Sequence, residues 1–165
     1  MPMTTVTLDT NIVPVERVRD AVPASHFNFA IISVTDRELC GSALQVSVAP
    51  VGRIPETQVM DESVLGQAVL GDPRDADCFE EALAIISNNS FPPRAQRGSL
   101  TAGQCRQLRD AMIFCAHVRA RSEILVTNDA RGFIGGGRRA VLEKRFNTKI
   151  MTSNEFIAAY GSPIQ

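Results

Sequence analysis

Three acidic side chains, Asp9, Glu38 and Asp129, fall where segments of predicted regular structure begin or end, and a fourth, Asp110, lies within a predicted helix. Carboxylates gathered in one pocket suit hard divalent cations, Mg2+ or Mn2+, which prefer oxygen ligands. Such ions activate water, bridge a phosphate and stabilise the departing oxygen of a phosphodiester. Each acid also has a plain structural alternative. Glu38 fits a capping box, Asp129 an N-cap or turn, and Asp9 a turn after a strand, while Arg106 or Arg109 could simply pair with Asp110. Four separate coincidences explain the pattern less well than one shared site.

The elements that must position these acids follow from apolar patterning. Val6 and Leu8 alternate with threonine and lead as a short strand into Asp9. A helical stretch through Val13, Val18 and Ala21 follows, with Pro14 tolerated in its first turn. Phe29 to Ser33 reads as a buried parallel strand, and Thr35 to Glu38 as a capping box opening a helix. Residues 46–60 carry Pro50, Gly52 and Pro55 and read as loop with an edge strand. From Asp61 to Asn88 the pattern is helical, in two pieces split near Gly71-Asp-Pro73, and Pro92-Pro93 ends it. A long helix is expected from about Thr101 to Arg121, a buried strand over Ile124 to Thr127, and a flexible turn at Gly135 to Gly137. A helix through Val141, Leu142 and Phe146, a strand over Lys149 to Thr152 and a helix capped by Thr152 to Glu155 complete the chain. Short apolar strands separated by helices imply an α/β domain with a mostly parallel sheet and right-handed crossovers.

In such a sheet ligands collect outside the carboxyl ends of the strands, which is where Asp9, Glu38 and Asp129 fall. Asp110 joins them by helix geometry. It lies 11 residues before Arg121, about 16 Å at roughly 1.5 Å per residue. The antiparallel return from Ile124 to Asp129 covers about 16 Å at roughly 3.3 Å per residue. Asp110 is therefore expected level with Asp129, on a helix apolar around most of its circumference. A carboxylate near such a buried side needs a partner or a metal, because an unpaired buried charge is costly.

The 165 residues suit one domain, 1–165, with 44% hydrophobic and 21% charged residues excluding a disordered chain. No apolar run reaches the length of a membrane span and Met1 to Thr5 lacks a signal-peptide pattern, so the expected compartment is the cytoplasm. Cys40, Cys78, Cys105 and Cys115 contain no C-x-x-C pair and read as small buried thiols. His26 and His117 are too far apart for a histidine metal site, and His117 reads as packed or surface. Charge is divided along the chain. Residues 1–93 hold 13 acids against 5 arginines, a balance of −8, and residues 94–165 hold 12 basic residues against 5 acids, a balance of +7. Fifteen of the 17 basic residues are arginine, which grips phosphate bidentately. Arg131, Arg138 and Arg139, beside the glycine turn, are the candidates for holding a nucleic-acid backbone. Solvated helix faces are the alternative for the same arginines.

Thr7-Leu-Asp-Thr-Asn11, Ile32-Ser-Val-Thr-Asp-Arg-Glu-Leu-Cys-Gly41, Asp110 with Ala111, Ile113 and Ala116, Ile124-Leu-Val-Thr-Asn-Asp129 with Phe133, and Lys149-Ile-Met-Thr-Ser-Asn-Glu-Phe156 together resemble the PIN-domain nucleases. Their order and spacing span nearly the whole chain. The resemblance implies a parallel-sheet α/β/α sandwich and a Mg2+- or Mn2+-dependent endoribonuclease, similar to the toxin ribonucleases of bacterial toxin–antitoxin pairs. It implies metal binding by Asp9, Glu38, Asp110 and Asp129, with Asn11 and Thr127 orienting the acids or the water. RNA is then the expected substrate, and a protein antitoxin and a second copy of the chain are candidate protein partners. Two features depart from the pattern: extra loop and helical material at about 46–99, and Gly135-Gly-Gly-Arg-Arg139, which lacks the G-K-[ST] ending of a P-loop. A catalytically inactive nucleic-acid-binding module on the same fold is the main competing function. A small-molecule phosphatase using Asp9 as nucleophile is disfavoured, because Asn11 stands where a second aspartate would be needed.

Overall fold

A computed structural model of the chain describes residues 3–59, 62–64 and 66–161. Five strands, β1 (Thr4–Leu8), β2 (Phe27–Ile32), β3 (Gly52–Ile54), β6 (Ile124–Val126) and β7 (Lys149–Met151), form one sheet in the order β3-β2-β1-β6-β7, with every pairing parallel. A second, two-stranded parallel sheet joins β4 (Glu56–Thr57) to β5 (Ala68–Val69). The helices are α1 (Glu16–Arg19), α2 (Ser33–Leu39), α3 (Pro73–Ile86), α4 (Ala102–Arg119), α5 (Arg138–Phe146) and α6 (Ser153–Tyr160). Among the described residues no helix is long and apolar enough to cross a membrane.

Alternation along the strands divides the interior into two cores and the molecule into three layers. Val6, Leu8, Phe29, Ile31 and Val126 face a core shared with Val18 of α1 and Phe156 of α6. Ile32, Leu125 and Ile150 face the opposite core, with Leu83 of α3, Met112 and Phe114 of α4 and Leu142 of α5. Phe156 is fully buried, with T-shaped contacts at 5.3 Å to Phe27 and 6.1 Å to Phe29. Such aromatic pairs contribute about 0.5–1.5 kcal/mol each beyond their area burial.

On the second face Thr7 points at α4. His117, completely buried, meets Thr7 Oγ1 through Nδ1 at 2.9 Å and Thr148 Oγ1 through Nε2 at 2.6 Å. Burial pushes its pKa down to about 3, so the ring is neutral and a packed strut rather than a surface group. With one ring nitrogen donating and the other accepting, it locks α4 to the strand that ends at Asp9. The long helix expected from sequence is α4, closed at its start by a capping box between Thr101 and Gln104.

Several local expectations are corrected. No capping box forms at Thr35–Glu38. Helix α2 starts at Ser33, directly after β2, and Thr35 is buried within it. The reason is tertiary: Ser33 Oγ donates to Glu56 at 2.7 Å and accepts from the Glu56 amide at 3.0 Å, which draws the serine out of the strand. The helix expected through residues 13–21 contracts to the single turn α1, preceded by a 3-10 turn at Thr10–Ile12. Of the two helical pieces expected over residues 61–88, only the second is found among the described residues, as α3 with a capping box between Asp72 and Asp75. Asp61 lies outside the described residues, and 68–69 form β5 instead. Residues 52–54 supply the expected edge strand, β3.

Candidate active site

Strand β1 sits between β2 and β6, so the chain leaves it on one side and returns on the other. Loops following such neighbouring strands diverge and open a crevice at the carboxyl edge. Asp9 directly follows β1 and Asp129 follows β6, one on each side of that crevice.

Asp9 is buried and held by three donors. Its Oδ1 accepts from the Thr10 amide at 2.7 Å, and its Oδ2 accepts from Asn11 Nδ2 at 2.7 Å and Thr127 Oγ1 at 2.6 Å. Burial nevertheless raises its pKa to about 6, against the lowering effect of Thr127 and Thr10 and with help from the charges of Glu38 and Asp129. Asn11 and Thr127 form a clamp between the two strand ends. Asn11 Oδ1 accepts from the Asn128 amide at 2.8 Å, and Thr127 Oγ1 accepts from the Asp129 amide at 3.0 Å.

Asp129 caps a single turn of π-helix, Ala130–Ile134, accepting from the Arg131 amide at 2.8 Å. Its neighbour Asn128 turns the other way, accepting from the Ser153 amide and hydroxyl at 3.0 and 3.1 Å, and so anchors α6. Asp110 projects from α4, partly buried, and no hydrogen bond reaches its carboxylate from the described residues. Burial first, then the charges of Asp9, Asp129 and Glu38, push its pKa up to about 8, opposed by Arg106. Glu38 is exposed and accepts from Thr10 Oγ1, which also shares a hydrogen bond with Thr35 Oγ1 at 3.0 Å.

The four acids therefore share one electrostatic neighbourhood, in which Asp9, Asp129 and Glu38 each raise the cost of charging Asp110. As the side chains stand, no three acidic, cysteine or histidine groups among the described residues are arranged to hold a metal ion. The donor chemistry fits a hard cation; the enclosure is not closed around one point. A cavity of about 820 Å3 lies elsewhere, between α3 and α4, lined by Phe79, Leu108 and Met112 and by none of the four acids. Its apolar lining is joined by Glu62, Asp72, Asp75 and Glu80 and by Arg94 and Arg97, with Glu80 already paired to both arginines.

Gly132 is a component that residue chemistry alone did not reveal. A methyl group there would collide with Asp129 Oδ2 and stand 2.9 Å from Asp110 Oδ2. The glycine is thus the floor against which both carboxylates rest, and its missing side chain is the space they occupy. Gly132→Ala is expected to displace both acids and lower any activity at this site at least about tenfold, as loss of ligand-orienting neighbours does. Far-UV circular dichroism should stay unchanged, and activity equal to that of the parent would show that the carboxylates do not act from these positions. Thr10 and Thr35, which steady Glu38, were likewise missed. Their partners lie 25 and 28 residues apart, beyond any local motif.

The three candidate phosphate-binding arginines separate. Arg131 has an exposed side chain beside Asp129. Arg138 folds back over the glycine turn, reaching the Ala130 carbonyl at 3.4 Å, while its buried Nε finds no partner among the described residues. Arg139 is already paired within the protein. Its guanidinium is engaged by Glu155 at 2.9 Å and by Glu143 at 3.6 Å, so it ties α5 to α6.

No model of a known protein family matches the chain, and no curated protein matches it.

Proposed function

We propose that the protein is a Mg2+- or Mn2+-dependent endoribonuclease of PIN type, with its site in the crevice between β1 and β6. The observation that carries this reading is Asp110, a carboxylate without a hydrogen-bond donor among the described residues and pushed to about pH 8 by burial and three neighbouring acids. A cluster of acids whose mutual repulsion Arg106 offsets only in part is matched by a divalent cation, which relieves what remains.

Asp9, Asp110, Asp129 and Glu38 are the residues that would hold the ion, after side-chain rotations that bring their oxygens toward one point. The ion supplies an activated water and charge compensation at the departing oxygen. Thr127 and Asn11 keep Asp9 oriented, because both donate to its Oδ2 while Oδ1 accepts only from the Thr10 amide and keeps acceptor capacity. Arg131 and Arg138 border the crevice on the basic portion of the chain and supply phosphate contacts that position RNA without reading its sequence. The single edge of the sheet thereby combines a place for hydrolysis with a grip on the backbone.

Incubation of the protein with labelled RNA and Mg2+ or Mn2+ tests this. Internal cleavage that stops on chelation and returns with added metal is the expected result; single-stranded DNA run in parallel reports substrate class. The arrangement of acids short of a closed ion site favours one second reading, an inactive nucleic-acid-binding module. Salt-sensitive RNA binding without cleavage in either metal would establish that reading in place of the nuclease. A role as the toxin of a toxin–antitoxin pair, with an antitoxin or a second copy as partner, is part of the same proposal and is tested by co-purification with the product of an adjacent gene.

A further inference from the structure

The cysteines, scattered in sequence, are not scattered in space. Cys78 of α3 and Cys115 of α4 lie 37 residues apart, yet their sulfur atoms share a hydrogen bond at 3.1 Å. Both are free thiols. A disulfide holds its sulfurs at about 2.0 Å, so bonding calls for an approach of only about 1 Å between two helices that already pack along their length. We propose that Cys78 and Cys115 are a built site for a reversible intramolecular disulfide, formed with a peroxide as oxidant, that staples α3 to α4.

The two thiols are unequal in the way such chemistry needs. Cys78 is partly exposed, and its hydrogen bond with Cys115 lowers its pKa. Cys115 is buried, and the same bond together with burial raises its own. The thiolate is the nucleophile in sulfur oxidation, so Cys78 reacts first and Cys115 resolves. In the first step the Cys78 thiolate attacks one peroxide oxygen, forming an S–O bond, breaking the O–O bond and releasing hydroxide, which takes a proton to become water. In the second, Cys115 sulfur attacks the sulfenic sulfur of Cys78. The S–S bond forms, the S–O bond breaks, and the second oxygen leaves as water with the Cys115 proton. Two thiols and one hydrogen peroxide become one disulfide and two waters, with two electrons passing from sulfur to oxygen. Cys78, the thiol that meets the peroxide, is the partly exposed one of the pair, and Cys115 behind it lines the cavity between α3 and α4. The staple sits five residues beyond Asp110 on α4, so it restrains the helix that carries this acid.

The test does not depend on nuclease activity. The double variant Cys40→Ser/Cys105→Ser keeps only the proposed pair. Treated with hydrogen peroxide, denatured and exposed to an alkylating reagent, it is expected to lose two hydrogens in intact mass and take up no alkyl group, with dithiothreitol restoring both thiols. Its melting temperature should rise on oxidation, because closing a 37-residue loop restricts the unfolded chain. Adding Cys78→Ser to that background should leave Cys115 alkylatable after peroxide. Two alkylatable thiols in the oxidised double variant, oxygen added at Cys78 without a crosslink, a crosslink only between copies on a non-reducing gel, or a fall in melting temperature on oxidation would each overturn the proposal.

Discussion

Asp9→Asn and Asp110→Asn are each expected to lower RNA cleavage by on the order of 10³ while leaving the fold intact, because removing even one neutral stabilising donor from an active site costs 10²–10³. The amide keeps the shape of the side chain but not the charge that attracts a cation. The two substitutions differ in what they do to their surroundings. Asp9 accepts from Thr10, Asn11 and Thr127, and an asparagine there presents an NH2 group to at least one of those donors. Asp110 accepts from none of the described residues, so Asp110→Asn removes charge without breaking a hydrogen bond and is the cleaner experiment. Single-turnover cleavage at saturating Mn2+, with circular dichroism as the check on folding, measures both. A wild-type rate with unchanged metal dependence in either variant would remove that residue from the proposed site.

The second large effect is on stability in the absence of metal, and it has a definite sign. The folded-state pKa values of Asp9 and Asp110 are raised, to about 6 and about 8, above the ordinary value of 3.8. Between pH 4 and 8 the folded state therefore holds more protons than the unfolded state, and stability falls as pH rises through that window. The metal-free protein should melt highest near pH 4, at the low end of this window, and lose stability toward pH 8. Asp110→Asn should flatten the decline and raise the stability of the metal-free protein at pH 8 by about 1–3 kcal/mol, roughly 3–8 °C in melting temperature. Mn2+ should raise the melting temperature of the parent at pH 8 and much less that of the variant, since only a ligand bound to the folded state stabilises it. A melting temperature that is independent of pH over this range, and unaffected by the substitution, would mean that Asp110 does not carry the strain assigned to it.

The parts of the fold legible in sequence are those specified by local patterning. Val6 and Leu8 alternate, Ile124 to Val126 is continuously apolar, and a helical pattern runs from about Thr101 to Arg121; each became the element expected. Asp110 could be aligned with Asp129 because a helix and a strand rise by known amounts per residue, and the two carboxylates do rest on one glycine. What escaped was specified by contacts between distant residues. Ser33 joins α2 because Glu56 takes its hydroxyl, and Glu56 in turn is buried against Arg37. Glu38 turns to Thr10 instead of capping its own helix. Segment 66–71 looked helical by composition, but Gly66 adopts φ +87° and Ala68–Val69 pair with β4. Arg139 pairs with Glu155 across two helices whose facing is invisible along the chain. The thiol pair at Cys78 and Cys115 belongs to the same class, since no short spacing motif spans 37 residues.

The position of β1 at the middle of the sheet bears on the order of events during synthesis. Its first neighbour, β2, follows within about two dozen residues, whereas its second, β6, pairs Val6 with Ile124. Non-local pairing of this kind is slow and waits on the distant segment, and a chain emerging from the ribosome meets that wait literally. A nascent chain that has reached residue 93 possesses Asp9 and Glu38 but neither Asp110 nor Asp129. Its central strand has one open side and its crevice has one wall. If the acids cut RNA as a group, the growing polypeptide is harmless to its own message and ribosome until the final third is translated, and the docking of β6 against β1 acts as the arming step.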